Sequence, residues 1–338
     1  MPVRPASMSV SMLHRFSKVV VASTILLLLA GSLVTSTGSG LSVPDWPTTY
    51  GWNMFTFPPS KWVGGIFYEH GHRLIASTVG FLTILLAVWL WVADPRRWMK
   101  WLGVSALGAV ILQGVLGGLT VLFFLPTTIS SAHAGLAEIF FCMTVAIALF
   151  TSRSWLEAGD AVDDGMLRRV ATATTAVIYA QILIGAVMRH SDAGLAIPDF
   201  PWMFGHLIPD HWDPKIAVHF AHRVGALIVV LSVIATSAHI WYHHPKRSEL
   251  TRPATLMLLL VASQVTLGAL TVLSRRDVWI NSVHLVNGAL VLATSIVITL
   301  RSWQIRFARA VRRKPDAISV VVSGARGVRL QPDLGSRS

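Results

Sequence analysis

The chain has 338 residues, of which 53% are hydrophobic and only 13% are charged. A soluble domain carries about 25% charged residues, so this chain lacks the polar surface that a water-soluble globule of its size needs. The net charge of +12 does not indicate nucleic-acid binding, because the basic residues lie between apolar stretches and in the C-terminal tail rather than in one patch. The composition therefore predicts an all-α integral membrane protein.

Eight apolar stretches are long enough, or nearly so, to cross the hydrocarbon core, which takes about 20 residues. We place them near 19–36, 70–92, 101–124, 128–150, 170–189, 216–241, 253–273 and 280–300. The first has the basic start and Leu-rich run of a signal peptide. We favour a retained helix, because the fifth stretch matches it in the repeat described below and cleavage would leave unequal halves.

Lys and Arg are distributed unequally between the two sides of these stretches. With the N-terminus in the cytoplasm, 21 of the 28 fall in cytoplasmic segments. Because cytoplasmic loops are enriched in these residues, we expect both termini on the cytoplasmic side of the cell's inner membrane.

The same pattern divides the chain into five segments. We predict a cytoplasmic segment 1–18, a four-helix bundle 19–150, a cytoplasmic linker 151–169, a second four-helix bundle 170–300 and a basic tail 301–338. The tail is polar, so we expect it to be disordered. Its arginines can contact anionic lipid headgroups.

The two halves are copies of one another. The outer loops 37–69 and 190–215 contain LSVPDWP at 41–47 and LAIPDFP at 195–201. Further matches follow in the same order: HR at 72 and 222, QGVLGGLT at 113 and QVTLGALT at 264, and HAGL at 133 and HLVN at 284, all at offsets of 150 to 154 residues. Because each half has an even number of spans, the sequence predicts parallel four-helix bundles related by a pseudo-two-fold axis along the membrane normal.

Four histidines occupy positions related by this repeat, near the outer ends of their helices: His72, His133, His222 and His284. Ionisable residues within spans are costly and usually functional. In each half the two histidines come from different helices at one depth, so their imidazoles can take both axial positions of a haem iron. The alternative, a polar residue satisfied at the interface, is disfavoured by the fourfold recurrence. Since Cys142 is the only cysteine, no thiolate pair competes as the metal site.

An arginine follows one candidate ligand in each half, at Arg73 and Arg223. A guanidinium at the membrane surface can bind a haem propionate in bidentate fashion. The alternative is a basic side chain that extends to the interface.

Glu69 lies three residues before His72, where the second half has His219. Residues at i and i+3 share a helix face. Glu69 can therefore lie beside the porphyrin of the first site and act as a base or stabilise positive charge. The structural alternative is a carboxylate paired with Arg73 or His70.

A second carboxylate within the predicted spans is Glu138, five residues after His133, and the second half has Ala289 there. It can belong to a proton path or be a buried, hydrogen-bonded group with Gln113 as its candidate partner. The sequence leaves both roles open.

Taken together, the GSGLSVPDWP loop at 38–47, EHGHR at 69–73, QGVLGG at 113–118 and their recurrence resemble the haem A synthase family. The resemblance covers about residues 19–300. It implies eight helices in two four-helix bundles. It also implies an oxidoreductase that converts the C8 methyl group of haem O into a formyl group through a hydroxymethyl intermediate, giving haem A for terminal cytochrome oxidase.

By the same resemblance, the N-terminal half receives haem O with His72 and His133 as axial ligands, and Glu69 is the catalytic residue. The C-terminal half holds haem B through His222 and His284, and passes electrons to an acceptor. Haem O synthase and oxidase assembly factors are candidate partners beside the membrane lipids, and a homo-oligomer is a candidate state. Many bacterial members carry a cysteine pair in the first outer loop. This chain has none there, so no thiol-dependent step is expected.

Two other functions fit part of the pattern. A di-haem b-type membrane cytochrome that only transfers electrons would use the same four histidines, with Glu69 in a structural role and two identical haems B. A transporter built from parallel repeats would place its polar groups near mid-membrane, whereas these histidines lie at the outer ends.

Overall fold

A computed structural model describes residues 6–157 and 162–312, and its regular structure in these ranges is helical. The helices are α1 (Ala6–Ser36), α2 (Gly65–Ala93), α3 (Arg97–Leu122), α4 (Thr127–Phe150), α5 (Arg153–Leu156), α6 (Gly165–His190), α7 (Pro214–His243), α8 (Ser248–Leu273) and α9 (Val278–Arg312). Two 3-10 turns, Met54–Thr56 and Pro59–Lys61, lie in the long loop between α1 and α2.

Eight of these helices, all except the one-turn α5, are long and apolar enough to cross a membrane. The prediction of an all-α, eight-span membrane protein is confirmed. The boundaries differ most at the two ends, where α1 begins at Ala6 and α9 continues to Arg312. Residues 301–312 continue α9 as a helix, so the basic tail begins within this helix. Residues 313–338 lie outside the described part, and the expected disorder of the tail stays a prediction.

The predicted cytoplasmic linker 151–169 is partly helical. It contains α5 and the first residues of α6. The Asp164 side chain caps α6 by accepting from the backbone N–H of Leu167. Asp213 does the same for Ile216 at the start of α7, where the next residue is Pro214. These residue types are favoured at helix starts because they satisfy free N–H groups or need none.

The spanning helices pack as two closed sets of four. In the first half α1 and α3 each contact α2 and α4, and in the second half α6 and α8 each contact α7 and α9. The halves meet where α1 contacts α9 and α4 contacts both α6 and α9. The pseudo-two-fold axis between them stays a prediction.

One unusual turn recurs in the two halves. Between α3 and α4, Phe124 and Leu125 both have φ of 58°, and between α8 and α9 Arg275 and Arg276 have φ of 54° and 67°. Non-glycine residues adopt this left-handed conformation infrequently. Its recurrence at the repeat-related position supports the duplication inferred from the sequence.

Candidate haem site

The four histidines form one pair in each half. His72 on α2 and His133 on α4 come from opposite corners of the first set of helices, and they lie close enough for their charges to interact. His222 on α7 and His284 on α9 have the same relationship in the second set. Each lies about two turns from the start of its helix, so the paired imidazoles are at matching depths. Their binding of haem stays a prediction.

A glycine on the neighbouring helix faces each of these imidazoles. A Cβ at the glycine would lie 2.9 Å from Cε1 of His72, 3.3 Å from that of His133, 2.9 Å from that of His222 and 3.2 Å from that of His284. The four glycines, in the same order, are Gly31, Gly117, Gly185 and Gly268. The Cε1 edge of each imidazole therefore faces the glycine, and an added Cβ would crowd the ring. Motif spacing alone did not single out these glycines, although they recur at offsets of 154 and 151 residues, within the range of the other repeat matches.

The histidines are not fully satisfied by the protein itself. Nδ1 of His72, of His133 and of His284 is buried without a hydrogen-bond partner. A buried polar atom without a partner is costly and calls for an explanation such as a bound group. Paired imidazoles with unused nitrogens, in an apolar bundle, fit the axial ligands of a haem.

Side-chain amides approach the imidazoles of the second half. Gln181 Nε2 lies 3.0 Å from His222 Nδ1 and donates to the His222 carbonyl at 2.7 Å. Gln264 Nε2 lies 3.4 Å from His284 Nε2. In the first half Gln113 donates instead to the backbone carbonyl of His133 at 2.9 Å. Gln113 is therefore not the partner that we considered for Glu138.

Glu69 and Arg73 together hold the first outer loop against α2. Glu69 is 4% exposed and accepts from the Val43 N–H at 2.8 Å and from Arg73 Nη2 at 2.7 Å. Arg73 also donates to the backbone carbonyls of Asp45, Thr48 and Val43. Glu69 thus has the structural pairing that we weighed against its catalytic role, with Arg73 rather than His70 as partner.

The second half repeats this arrangement without a carboxylate. His219 Nδ1 accepts from the Ile197 N–H at 3.2 Å. Arg223 donates to the carbonyls of Ile197, Asp199 and Trp202. Both arginines that we considered for propionate binding therefore use most of their N–H groups on loop carbonyls.

The motif aspartates shape the same loops from within. Asp45 accepts from the backbone N–H groups of Tyr50 and Gly51 and from the Thr48 hydroxyl. Burial acts to raise the pKa of Asp45, but these hydrogen bonds outweigh it and leave the pKa below its ordinary value. In the second loop, Asp199 accepts from the N–H groups of Phe204 and Gly205.

His70 lies beneath the first loop and is fully buried. Its ring packs edge-on against Trp62, with centroids 4.7 Å apart, and against Phe57 at 5.1 Å. Its Nδ1 lies 3.2 Å from the Thr49 hydroxyl. His70 therefore helps to seat the loop, whereas its neighbour His72 faces α1.

Glu138 lies on α4 where the two halves meet. It is 4% exposed, and its Oε2 has no hydrogen-bond partner. Tyr179 on α6 is close enough to interact with its charge, and the Tyr179 hydroxyl donates to the Gly135 carbonyl at 3.3 Å. The geometry places Glu138 where α4 packs against α6 of the other half and assigns it no single role.

A partly buried arginine that the sequence pattern did not single out joins the halves near the C-terminal ends of α1 and α6. Arg189 donates to the Ser32 carbonyl and to the Ser36 hydroxyl, both at 2.8 Å. Asn281 and Ser282 of α9 also donate to Ser36. This network fixes the two sets of helices to each other at the end that carries the histidines.

Comparison with known proteins gives a consistent result. Residues 14–296 match the family model described as cytochrome oxidase assembly protein.

Three relatives with the name Heme A synthase illustrate the similarity. The one from Geobacillus kaustophilus is 27% identical over 274 residues, covering 80% of this chain and 84% of the relative. The one from Alkalihalophilus pseudofirmus is 30% identical over 277 residues, covering 80% and 90%, and the one from Shouchella clausii is 30% identical over 272 residues, covering 78% and 87%. The matched region contains both histidine pairs and Glu69. The chain belongs to the haem A synthase family of cytochrome oxidase assembly proteins.

Proposed function

We propose that this protein is an oxidoreductase of haem A biosynthesis that oxidises the C8 methyl group of haem O to a formyl group through a hydroxymethyl intermediate. The observation that carries the proposal is one buried imidazole pair in each half, each imidazole facing a glycine. The name Heme A synthase on relatives that align over most of their length supports the same activity.

We assign the substrate to the first half and the permanent cofactor to the second. His72 and His133 would bind and orient haem O, and His222 and His284 would hold a haem B. When bound there, haem B supplies one-electron redox chemistry that carries electrons from the substrate site to an acceptor. The contrast between Glu69 and His219 at equivalent loop contacts supports this division.

Glu69 is the residue that we assign to proton transfer in the first half. Conversion of the methyl group and a water molecule into a hydroxymethyl group releases two protons and two electrons, and conversion of the hydroxymethyl group into a formyl group releases two more of each. The electrons pass to the acceptor, and a carboxylate can accept the protons. A carboxylate has about four acceptor sites, and the contacts with Val43 and Arg73 use one on each oxygen. Each oxygen therefore keeps a lone pair for a proton while Glu69 still holds the loop.

The positive-inside distribution supports cytoplasmic termini and haem sites near the outer face. Haem O would then meet the protein from the bilayer in which both are dissolved. Ile111, Phe81 and Leu227 are among the large apolar side chains exposed on the outward faces of the helices, as expected for contact with lipid.

The test is to co-express the protein with a haem O synthase, purify it in detergent and identify the extracted haems by chromatography and mass. We expect haem A or its hydroxymethyl precursor from the wild type. With Glu69→Gln we expect haem O to accumulate, because glutamine can keep an acceptor for the loop but cannot take up a proton at a carboxylate. Glu249→Gln, which changes a carboxylate paired with Arg247 near the start of α8, is the matched control and should resemble the wild type.

Haem B alone in all three proteins, with haem O abundant in the membrane, would instead show an electron-transfer cytochrome. The assignment of the halves has its own test. His222→Ala should lose the co-purifying haem B, whereas His72→Ala should keep it and lose haem A formation. The reverse pattern would exchange the roles of the halves.

A further inference from the structure

A cluster of three side chains of metal-binding types, two imidazoles and one carboxylate, lies between α6 and α7, far from the histidine pairs. Nε2 of His239 and Nε2 of His244 each lie 2.8 Å from Oδ2 of Asp164. The three ligand atoms all lie within 4.8 Å of one another. The capping of a helix start does not require two imidazoles at one carboxylate oxygen, so capping alone does not explain this cluster.

Local structure fixes each member of the cluster. Asp164 immediately precedes α6, and its other oxygen, Oδ1, accepts from the Leu167 N–H at 2.9 Å. His239 lies near the end of α7, and His244 follows its last residue. His222 lies 17 residues before His239 on the same helix, which is about 25 Å along the axis, so this cluster is separate from the histidine pairs.

The chemistry of the three groups matches a transition-metal site. Two imidazoles and a carboxylate form a common ligand set for Zn²⁺ and related divalent ions, with water at the remaining position. Bonds of about 2.0–2.1 Å place the ligand atoms of a tetrahedral site roughly 3.3 Å apart. The present contacts of 2.8 Å need only a small opening to admit an ion between them.

The charge and exposure of the cluster are also suitable. An aspartate is ordinarily ionised near neutral pH. The side chains of Asp164, His239 and His244 are 17–18% exposed. An ion can therefore enter from water while the ligands stay held by the protein.

We propose that Asp164, His239 and His244 bind one divalent first-row transition ion, which joins the start of α6 to the end of α7. A bound ion replaces two hydrogen bonds that converge on a single oxygen with three metal–ligand bonds. Asp164 precedes the long second outer loop in the sequence, and His239 and His244 follow it. The ion therefore stabilises the packing of α6 against α7 at the end opposite to the haem site.

The test uses the full-length, haem-loaded protein, purified without a polyhistidine tag and measured for Zn²⁺ by elemental analysis after dialysis against Zn²⁺ and then against buffer. The wild type should retain about one ion per chain. His239→Ala and His244→Ala should each weaken binding at least about tenfold. Asp164→Asn, which can still cap α6, should weaken it as well.

His243→Ala is the matched control. His243 lies four residues after His239, and the two ring centroids are 4.5 Å apart, but its nitrogens are outside the cluster. This variant should bind Zn²⁺ as the wild type does. Haem content serves as the check of folding and should be the same in all the proteins. A wild type that retains no Zn²⁺, or one whose binding His239→Ala and Asp164→Asn leave unchanged, would show that the cluster is only a hydrogen-bonded helix cap.

Discussion

Gln181 on α6 contacts both the ring and the backbone carbonyl of His222 on α7. The repeat places Leu27 at the equivalent position of the first half, so only the second half has an amide there. Ligation of an iron through Nε2 leaves the proton on Nδ1. The Gln181 Oε1, which is buried without a partner, can accept a hydrogen bond from that Nδ1–H after a rotation of the amide. This difference fits a permanent cofactor in the second half and an exchangeable substrate in the first.

Replacement of Gln181 by Leu should therefore weaken the binding of haem B. Loss of a group that orients a metal-bound imidazole lowers metal affinity by about 10–100-fold. The measurement is the haem-to-protein ratio and the rate of haem transfer to apomyoglobin. Gln113→Leu, which removes a contact to a backbone carbonyl of the first half, should leave haem B in place. An unchanged transfer rate in Gln181→Leu would contradict the orienting role.

Gly225 provides an independent way to displace Gln181. A Cβ at this position has no room beside the Gln181 amide oxygen. Gly225→Ala should therefore move the amide and reproduce the loss of haem B affinity while Gln181 itself is retained. Equal haem B affinity in Gly225→Ala and the wild type would argue against the contact.

The glycines that face the imidazoles should have effects specific to one half. A Cβ at Gly185 or at Gly31 would lie 2.9 Å from the facing imidazole, so the ring must tilt away. Gly185→Ala should lower the haem B content. Gly31→Ala should keep haem B and lower haem A formation. Gly114→Ala on α3, where nothing lies within 4 Å of an added Cβ, should change neither, and a similar loss in all three variants would show a general packing effect.

Arg73 and Arg223 hold equivalent loops but should differ in their contribution to stability. Arg73→Ala leaves the buried Glu69 carboxylate without its cation, and the loss of one partner of a buried ion pair costs about 3–5 kcal/mol. Arg223 contacts carbonyl groups and has the imidazole of His219 in place of a carboxylate, so Arg223→Ala should cost less. Unfolding in detergent measures both.

The double variant Glu69→Ala/Arg73→Ala completes this experiment. It removes the carboxylate that Arg73→Ala leaves unpaired, so it should recover part of the stability lost in the single variant. Strictly additive losses would show that the two residues act independently.

The outer loops should lose stability in acid through their motif aspartates. The pKa of Asp45 is depressed in the folded protein, so its contribution is complete above the ordinary Asp value of about 3.9 and disappears as the pH falls through the lower folded value. Digestion with pepsin should cut the first loop faster in Asp45→Ala than in the wild type at pH near 5, and the difference between the two rates should narrow as the pH falls towards 2. A difference that does not narrow would assign the effect to packing rather than to the charge.

Several properties of this protein could be predicted from the sequence because they depend on residues close together along the chain. Hydropathy over about 20 residues locates a span, and all eight predicted spans are present. The nearly constant offset of 150 or 151 residues between HR, QGVLGGLT and HAGL and their copies selected His72, His133, His222 and His284. Hydropathy did not locate the end of the last helix. α9 continues to Arg312 in a polar segment, where hydropathy no longer indicates a helix.

The partners of individual side chains were decided only by the tertiary structure. Arg73 contacts loop carbonyls between Val43 and Thr48, Gly31 faces His72 across a helix contact, and Asp164 meets His239 and His244 about 75 and 80 residues away. These contacts join residues that are distant in sequence, and helix rotation and crossing determine which side chains meet. A one-dimensional pattern gives the depth of a residue in the membrane, whereas its neighbour depends on how the helices pack.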